Sequence, residues 1–312
     1  MPPFQTAVMF FSVVGPIAGL LAAIFLLWHR APGRWSIGWP EVSAMVLLYA
    51  LIGFGVTIGY HRLLTHRAFE TYRPVKWMLA ILASSAGQGM CIRWVATHRR
   101  HHQQADREGD PHSPHLHGEG FSGLLRGMLH AHVMWCFDKD KEDLGRSVSD
   151  LLADPVLVWI DSLYFFWVGM GIVIPGMILG LIYHSWYGFF SGAIWGGLLR
   201  ICLLQHVTWS INSVCHVWGS KRFVSSDHSV NNLPIALVSL GEGWHNNHHA
   251  FPTSARHGMK WYEFDASWVV IRCMKALGLA WNIRVPSEAA MAARSTTAVK
   301  PAERERVGAA SA

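Results

Sequence analysis

Residues 42–66 read VSAMVLLYALIGFGVTIGYHRLLTH: a run without charge as far as Tyr60, then a pair of histidines, His61 and His66. About 20 apolar residues cross a bilayer, so the run from about Val42 to Tyr60 reads as a span with imidazoles at its mouth. Three more stretches have the same character, about Ala7–Trp28, Val156–Tyr183 and Phe189–Ile211. A short loop holding Pro32, Gly33, Trp39 and Pro40 joins the first two spans, and His184–Gly188 joins the last two. The expected fold is all-α: an integral membrane protein of four transmembrane helices in two hairpins, with a helical cap on the histidine side.

A fifth apolar stretch, Val75–Ile92, contains Ser84, Ser85, Gly87, Gln88 and Gly89 and begins beside Lys76. If it crossed, His61 and His66 would face the side opposite to His98, His101 and His102. It is expected to lie along the membrane surface instead. Arg62, Arg67, Arg73, Lys76, Arg93, Arg99, Arg100, Lys139 and Lys141 then share the histidine face, and the outer loops offer only Arg30 and Arg34. That positive-inside pattern puts the histidines and both termini in the cytoplasm. The chain lacks extensions, which points to a bacterial plasma (inner) membrane. Residues 1–286 read as one membrane domain, and the Ala/Ser-rich residues 287–312 as a disordered tail.

Composition agrees. Of 312 residues, 51% are hydrophobic and 15% charged, against about 25% charged in soluble domains. Disorder of the whole chain is excluded. Five scattered cysteines with no CxxC exclude a disulfide scaffold. The net charge of +6 lies in loops beside apolar segments, which is a membrane signal and not a nucleic-acid one. The first apolar stretch is too long for a signal peptide, and nothing resembles a haem, flavin or iron–sulfur module.

The anomaly is 19 histidines in so apolar a chain. Nine form a pattern: HxxxxH at His61 and His66, HxxHH at His98, His101 and His102, a single His216, and HxxHH at His245, His248 and His249. On a helix, positions i, i+3 and i+4 share one stripe about 100° wide. Three imidazoles there serve two adjacent ions, with i and i+4 or i and i+3 chelating one and the third ring reaching the other. HxxxxH puts its rings about 140° apart on a regular helix, so that helix is expected to end between His61 and His66. Imidazole suits iron, copper, nickel or zinc. Neutral ligands leave the metal charge uncompensated, and Asp106, Asp110 and Glu242 are placed to accept imidazole N–H bonds from outside.

These residues resemble the membrane-bound fatty acid desaturase family of the stearoyl-CoA (acyl-CoA delta-9) type. The likeness runs from about Tyr49 to Asp265 through GYHRLLTH, THRRHHQQADREGDPHSP, WSINSVCHVWG and SLGEGWHNNHHAFPTSARHG. It implies two iron ions held by the nine histidines, with Asn212 binding through a water. It assigns His61, His66, His98, His101 and His248 to one iron, and His102, His216, His245 and His249 to the other. It implies that O2 and two electrons from an external ferredoxin-, rubredoxin- or cytochrome b5-like donor convert a saturated acyl chain to a cis alkene and two waters. A long apolar tunnel must then hold one methylene pair beside the metals. Tyr49, 12 residues before His61 and about 18 Å deeper on the same helix, is placed to floor that tunnel, with Trp209 along it. Trp94 and Trp244 read as packing or membrane-belt aromatics.

One departure bears on the acyl carrier. Animal relatives carry Arg-Asp just before the second histidine box, associated with the CoA head group, where this chain has Ala96-Thr97. The substrate is therefore acyl-CoA or an acyl chain on a membrane lipid. Lys139 and Lys141 read as solvated loop charges more than phosphate contacts, Arg200 as a residue that pairs or snorkels, and His112, His130 and His132 as outlying groups near the second box. The alternatives are a di-iron hydroxylase of an alkyl, sterol or carotenoid substrate, and, from another class, a metal transporter. Transporters place their ligands at mid-depth in the spans, whereas these boxes flank them.

Overall fold

A computed structural model describes residues 3–28, 37–138 and 147–298. Helix α1 (Pro3–Trp28) precedes α2 (Trp39–Phe54), which widens without a break into a π-helix over Gly55–Thr65. Helices α3 (Arg73–Ser84), α4 (Cys91–Gln104) and α5 (Gly120–His132) follow, then the short α6 (Ser149–Leu152) and α7 (Pro155–Ser162). Helix α8 (Tyr164–Tyr183) turns into α9 (Trp186–Gly192), which continues through a π-helical segment, Ala193–Leu199, into α10 (Arg200–Ser213). Four further helices follow: α11 (Leu233–Val238), α12 (His245–Ala250), α13 (Ala266–Ala276) and α14 (Glu288–Ala293). The one sheet among the described residues is a two-stranded antiparallel ribbon, β1 (Glu70–Thr71) with β2 (Ala280–Trp281).

Three helices are long and apolar enough to cross a membrane: Trp39–Thr65, Tyr164–Tyr183 and Trp186–His216. The expected first span contributes a shorter apolar helix, Phe10–Phe25, among the described residues. The expected third span is also shortened. Its first turns form the separate α7, because the backbone leaves helical geometry at Leu163 (φ −95°, ψ 18°). Asp161, in the last turn of α7, is used elsewhere: its Oδ1 accepts the Ile92 N–H (2.8 Å) in the open first turn of α4.

At the α8–α9 turn His184 adopts the left-handed conformation and the Ser185 hydroxyl accepts the Gly188 N–H (3.1 Å). The two helices then run in close contact. A Cβ at Gly192 would sit 2.2 Å from the Pro175 carbonyl oxygen, so small residues set this interface, as they do between helices in lipid. The outer faces stay apolar, with Leu47, Phe165, Phe166, Leu181 and Phe190 all exposed.

Val75–Ile92 is not one surface helix. It is α3, a turn over residues 85–90, and the start of α4. Leu79, Ala80 and Ala83 of α3 are buried against the π-helical end of α2. The expected disordered tail begins with structure: α14 forms, and Val224 N–H donates to the Arg294 carbonyl (2.8 Å). Residues 299–312 lie outside the described residues.

Candidate metal centre

The π-helix explains HxxxxH. The helix does not end between the two histidines; it widens, and His66 N–H donates to the His61 carbonyl five residues back (3.1 Å). This i→i+5 winding brings the rings together, with centroids 4.8 Å apart. A regular helix would splay them.

The nine boxed histidines converge in two groups, His61, His66, His98, His102 and His248, and His101, His216, His245 and His249. Within each group the candidate ligand atoms lie within 4.8 Å of one another. His101 and His102 therefore stand in the groups opposite to those the family resemblance implied. The cause is helix geometry. Position i+4 lies about 40° from i, and i+3 about 60° to the other side. His98 with His102 and His245 with His249 pair as i and i+4, and the middle rings, His101 and His248, each cross to the other group.

The donor set fits metal ions. In the first group Nε2 atoms approach in sequence: His61 to His248 at 3.1 Å, His248 to His102 at 2.9 Å, and His102 to His98 at 3.1 Å. His216 and His245 meet at 3.0 Å in the second. About 3 Å is the edge of an octahedron with metal–nitrogen bonds of about 2.1 Å. The Nε2 atoms of His66, His101 and His249 are buried without a hydrogen-bond partner, as ligand lone pairs would be.

The opposite ring edges are held by carboxylates. Glu242 Oε2 lies 2.5 Å from His61 Nδ1, Asp110 Oδ1 3.0 Å from His101 Nδ1, and Asp106 Oδ2 2.8 Å from His216 Nδ1. A fourth, Asp227, faces His249 Nδ1 at 2.8 Å and was not singled out by sequence reading. Burial alone would raise Asp227, but the His249 and His216 rings and the Ser229 hydroxyl hold it well below the usual range. Asp110 behaves likewise: burial opposes the charge, and His101 and His112 prevail. Burial, followed by ring–ring repulsion, lowers His98, His102, His245 and His248 well below the ordinary imidazole value. Neutral rings are the metal-binding form.

Other expectations change. Arg62, counted among the loop cations, is fully buried and donates to Glu242 Oε1 (3.0 Å), Asp265 Oδ1 (3.0 Å) and the Ala255 carbonyl (2.7 Å). Its partner His257 packs against His248, the rings tilted at 36° with centroids 4.5 Å apart. The sequence signal for His257 was only an isolated histidine after the last box. His112 is buried 4.3 Å from the His101 ring, His130 pairs with Asp138 (3.0 Å), and His132 reaches Ser213 (3.1 Å) and His206 (3.0 Å). Lys139 and Lys141 lie outside the described residues. Arg200 neither snorkels nor meets a carboxylate among the described residues; it is buried and bonded to backbone carbonyls.

Two cavities flank the histidines. One of about 400 Å³ passes Trp94, Thr97, His98, Trp135, Trp209 and Asn212. A smaller one of about 50 Å³ runs from His61 and His98 to Tyr49, whose hydroxyl donates to the Val238 carbonyl (2.7 Å). Gln88, Trp94, His98, Thr208 and Asn212 line both. Trp94, read as packing, stacks on His98 at this junction (5.1 Å, 23°), whereas Trp244 does pack, its N–H donating to the Phe264 carbonyl (2.8 Å).

A sequence profile described as Fatty acid desaturase matches residues 37–282. The chain belongs to this family. Similar relatives include a hex-5-enoyl-[acyl-carrier protein] acetylenase of Moorena producens (38% identical, over 87% of this chain and 84% of that one). A delta-9 acyl-lipid desaturase 1 of Arabidopsis thaliana is 35% identical over 87% and 84%, respectively. An sn-1 stearoyl-lipid 9-desaturase of Anabaena variabilis is 35% identical over 80% and 86%. This member of the desaturase family thus combines apolar helices of spanning length with clustered histidines that have metal-site spacing.

Proposed function

We propose that the protein is an O2-dependent di-iron desaturase that places a cis double bond, at delta-9, in a saturated long-chain acyl substrate carried by CoA or a membrane lipid. The observation that carries this reading is the junction: the two cavities share Gln88, Trp94, His98, Thr208 and Asn212, and their linings include histidines of both groups, His61, His98 and His245. Relatives named for lipid substrates and for delta-9 chemistry support it. The nine histidines would hold two irons, with Asn212 reaching one through a water. When bound, the iron pair would supply activation of O2, the oxidant of the reaction.

The balance is one –CH2–CH2– unit, O2, two electrons and two protons giving –CH=CH– and two waters. The electrons come from an external one-electron donor protein. The chain's own residues bind and orient. Glu242, Asp106, Asp110 and Asp227 accept Nδ1–H bonds, which fixes each ring with its Nε2 lone pair facing the cluster. Apolar walls exclude water and hold the chain extended to either side of the junction. Tyr49 closes the inner limb and Trp209 lines the outer one. The setting we infer is a bacterial inner membrane with the cap in the cytoplasm.

The test is aerobic incubation of purified protein with palmitoyl and stearoyl substrates on CoA and on phospholipid, with a reducing system. Unsaturated product from wild type and none from His98→Ala or His248→Ala, at equal expression, is expected. Hydroxylated product, or full activity in both variants, would overturn the proposal.

A further inference from the structure

Arg200 lies within the Trp186–His216 helix and is fully buried. An ionised group at such depth is costly unless it has work to do. Its guanidinium donates to the carbonyls of Ser85 (2.7 Å), Gly171 (2.9 Å) and Gly196 (3.2 Å). Further along α10, Gln205 Nε2 donates to the carbonyls of Gly87 (2.7 Å) and Ser12 (3.0 Å). Next, Thr208 Oγ1 and the Leu204 carbonyl accept from Gln88 Nε2 (2.8 and 3.1 Å). From α8, the Tyr164 hydroxyl accepts the Gly89 N–H (3.0 Å).

All these bonds except those to Gly171, Gly196 and Ser12 converge on one segment, the turn 85–90 between α3 and α4. Positive φ at Gly87 (71°) and Gly89 (114°) takes this turn out of any helix. Its peptide groups need partners in an apolar setting; side chains of α10 take the Ser85 and Gly87 carbonyls, and α10 also holds the Gln88 side chain. The turn is also a wall of both cavities. Gly87, Gln88, Gly89 and Met90 line the larger cavity, and Gln88 lines the smaller one as well. Its last residue leads into α4, which carries His98.

We propose that Arg200 and Gln205 are positioning residues that set which carbons of the acyl chain stand at the histidine clusters, by clamping the 85–90 turn at the junction of the two cavities. Arg200 lines neither cavity, so it acts only through the turn; Gln205 also lines the larger cavity, so its effect through the turn is read from exchange at residues 85–90. The inference rests on the reading that the two cavities hold the acyl chain. A displacement of about 1 Å at a reacting centre can change rates about 100-fold, so a loosened turn alters the choice between neighbouring methylenes before it abolishes turnover.

The test compares wild type with Gln205→Met and Arg200→Lys, measuring double-bond position in the product, iron per chain, and amide hydrogen exchange over residues 85–90. The expected result is unchanged iron, faster exchange at the turn, and a rise of at least about tenfold in minor positional isomers relative to the main one. If Arg200→Lys does not fold, Gln205→Met decides through both readouts together: because Gln205 lines the larger cavity, an isomer shift without faster exchange at the turn reports direct contact with the chain and overturns the clamp. An unchanged isomer ratio, whether total activity falls or not, overturns the proposal. Absence of unsaturated product from wild type would overturn the functional reading instead. In that case exchange still reports on the clamp, and unchanged exchange in the variants rejects it too.

Discussion

Asp227→Asn keeps the shape of the side chain and removes the charge facing His249 Nδ1. Loss of such an outer partner costs about 10–100-fold in metal affinity or activity, so the midpoint of a metal titration should move to a higher free-metal concentration by that order. Arg62→Met makes a different point. It leaves Glu242 and Asp265 as buried carboxylates without their guanidinium, and breaking a buried pair from one side costs about 3–5 kcal/mol. Thermal unfolding in detergent should show a large drop that Arg62→Lys does not fully restore, because one ammonium cannot replace the planar fork. At this scale the sequence was readable wherever spacing is local. HxxHH announces itself. Asp227, His257 and the burial of Arg62 depend on contacts between distant segments, such as Arg62 with Asp265, and leave no periodic trace.

The α8–α9 hairpin depends on missing side chains. Gly192→Val would drive carbon into the Pro175 carbonyl, and overpacking of this kind costs about 1–3 kcal/mol. Gly169→Ala, on α8 with open space around it, should leave the melting temperature near wild type. On α6, Asp150 ties Arg99 of α4 to Arg67, with Oδ1 2.7 Å from Arg99 Nη1 and Oδ2 2.8 Å from Arg67 Nη2. Burial pushes Asp150 up, but the two guanidinium groups outweigh it and its pKa is lowered. A depressed carboxyl stabilises the fold above its unfolded pKa, about 3.9, and loses that contribution as pH falls through the folded value. The melting-temperature gap between wild type and Asp150→Asn should therefore be present at neutral pH and close on acidification. Of the elements, the apolar runs of the second and fourth spans were legible. The break at Leu163 was not, since Asp161 turns away to serve Ile92 in another helix. Nor was the π-helix, because hydropathy carries no record of how tightly a helix is wound.

For the whole molecule, the chain carries a net charge of +6, so the electron donor of the proposed reaction should be an acidic protein drawn in by long-range attraction. Turnover driven by a reduced acidic carrier protein is expected to fall as salt is raised from about 0.01 to 0.5 M, where screening lengths shrink from about 30 Å to a few ångströms. Turnover driven by dithionite with a small neutral mediator should change little. Equal salt sensitivity in both would argue against electrostatic docking. The placement of the histidine boxes at the ends of apolar runs made this overall plan legible from the sequence, because a membrane limits a chain to few arrangements.

The ring of carboxylates around the histidines sets a valence. Asp106, Asp110, Asp227 and Glu242 contribute four negative charges, and the Arg62 and Asp265 charges offset each other. Two divalent cations would balance these four carboxylates; two trivalent ones would exceed them. Stripping metal with a chelator should lower the melting temperature, and a divalent ion such as Fe2+ or Mn2+ should restore it. Ga3+, which cannot be reduced, should restore it less at equal concentration. The enclosure would thus act as an electrostatic gauge that favours divalent over trivalent ions.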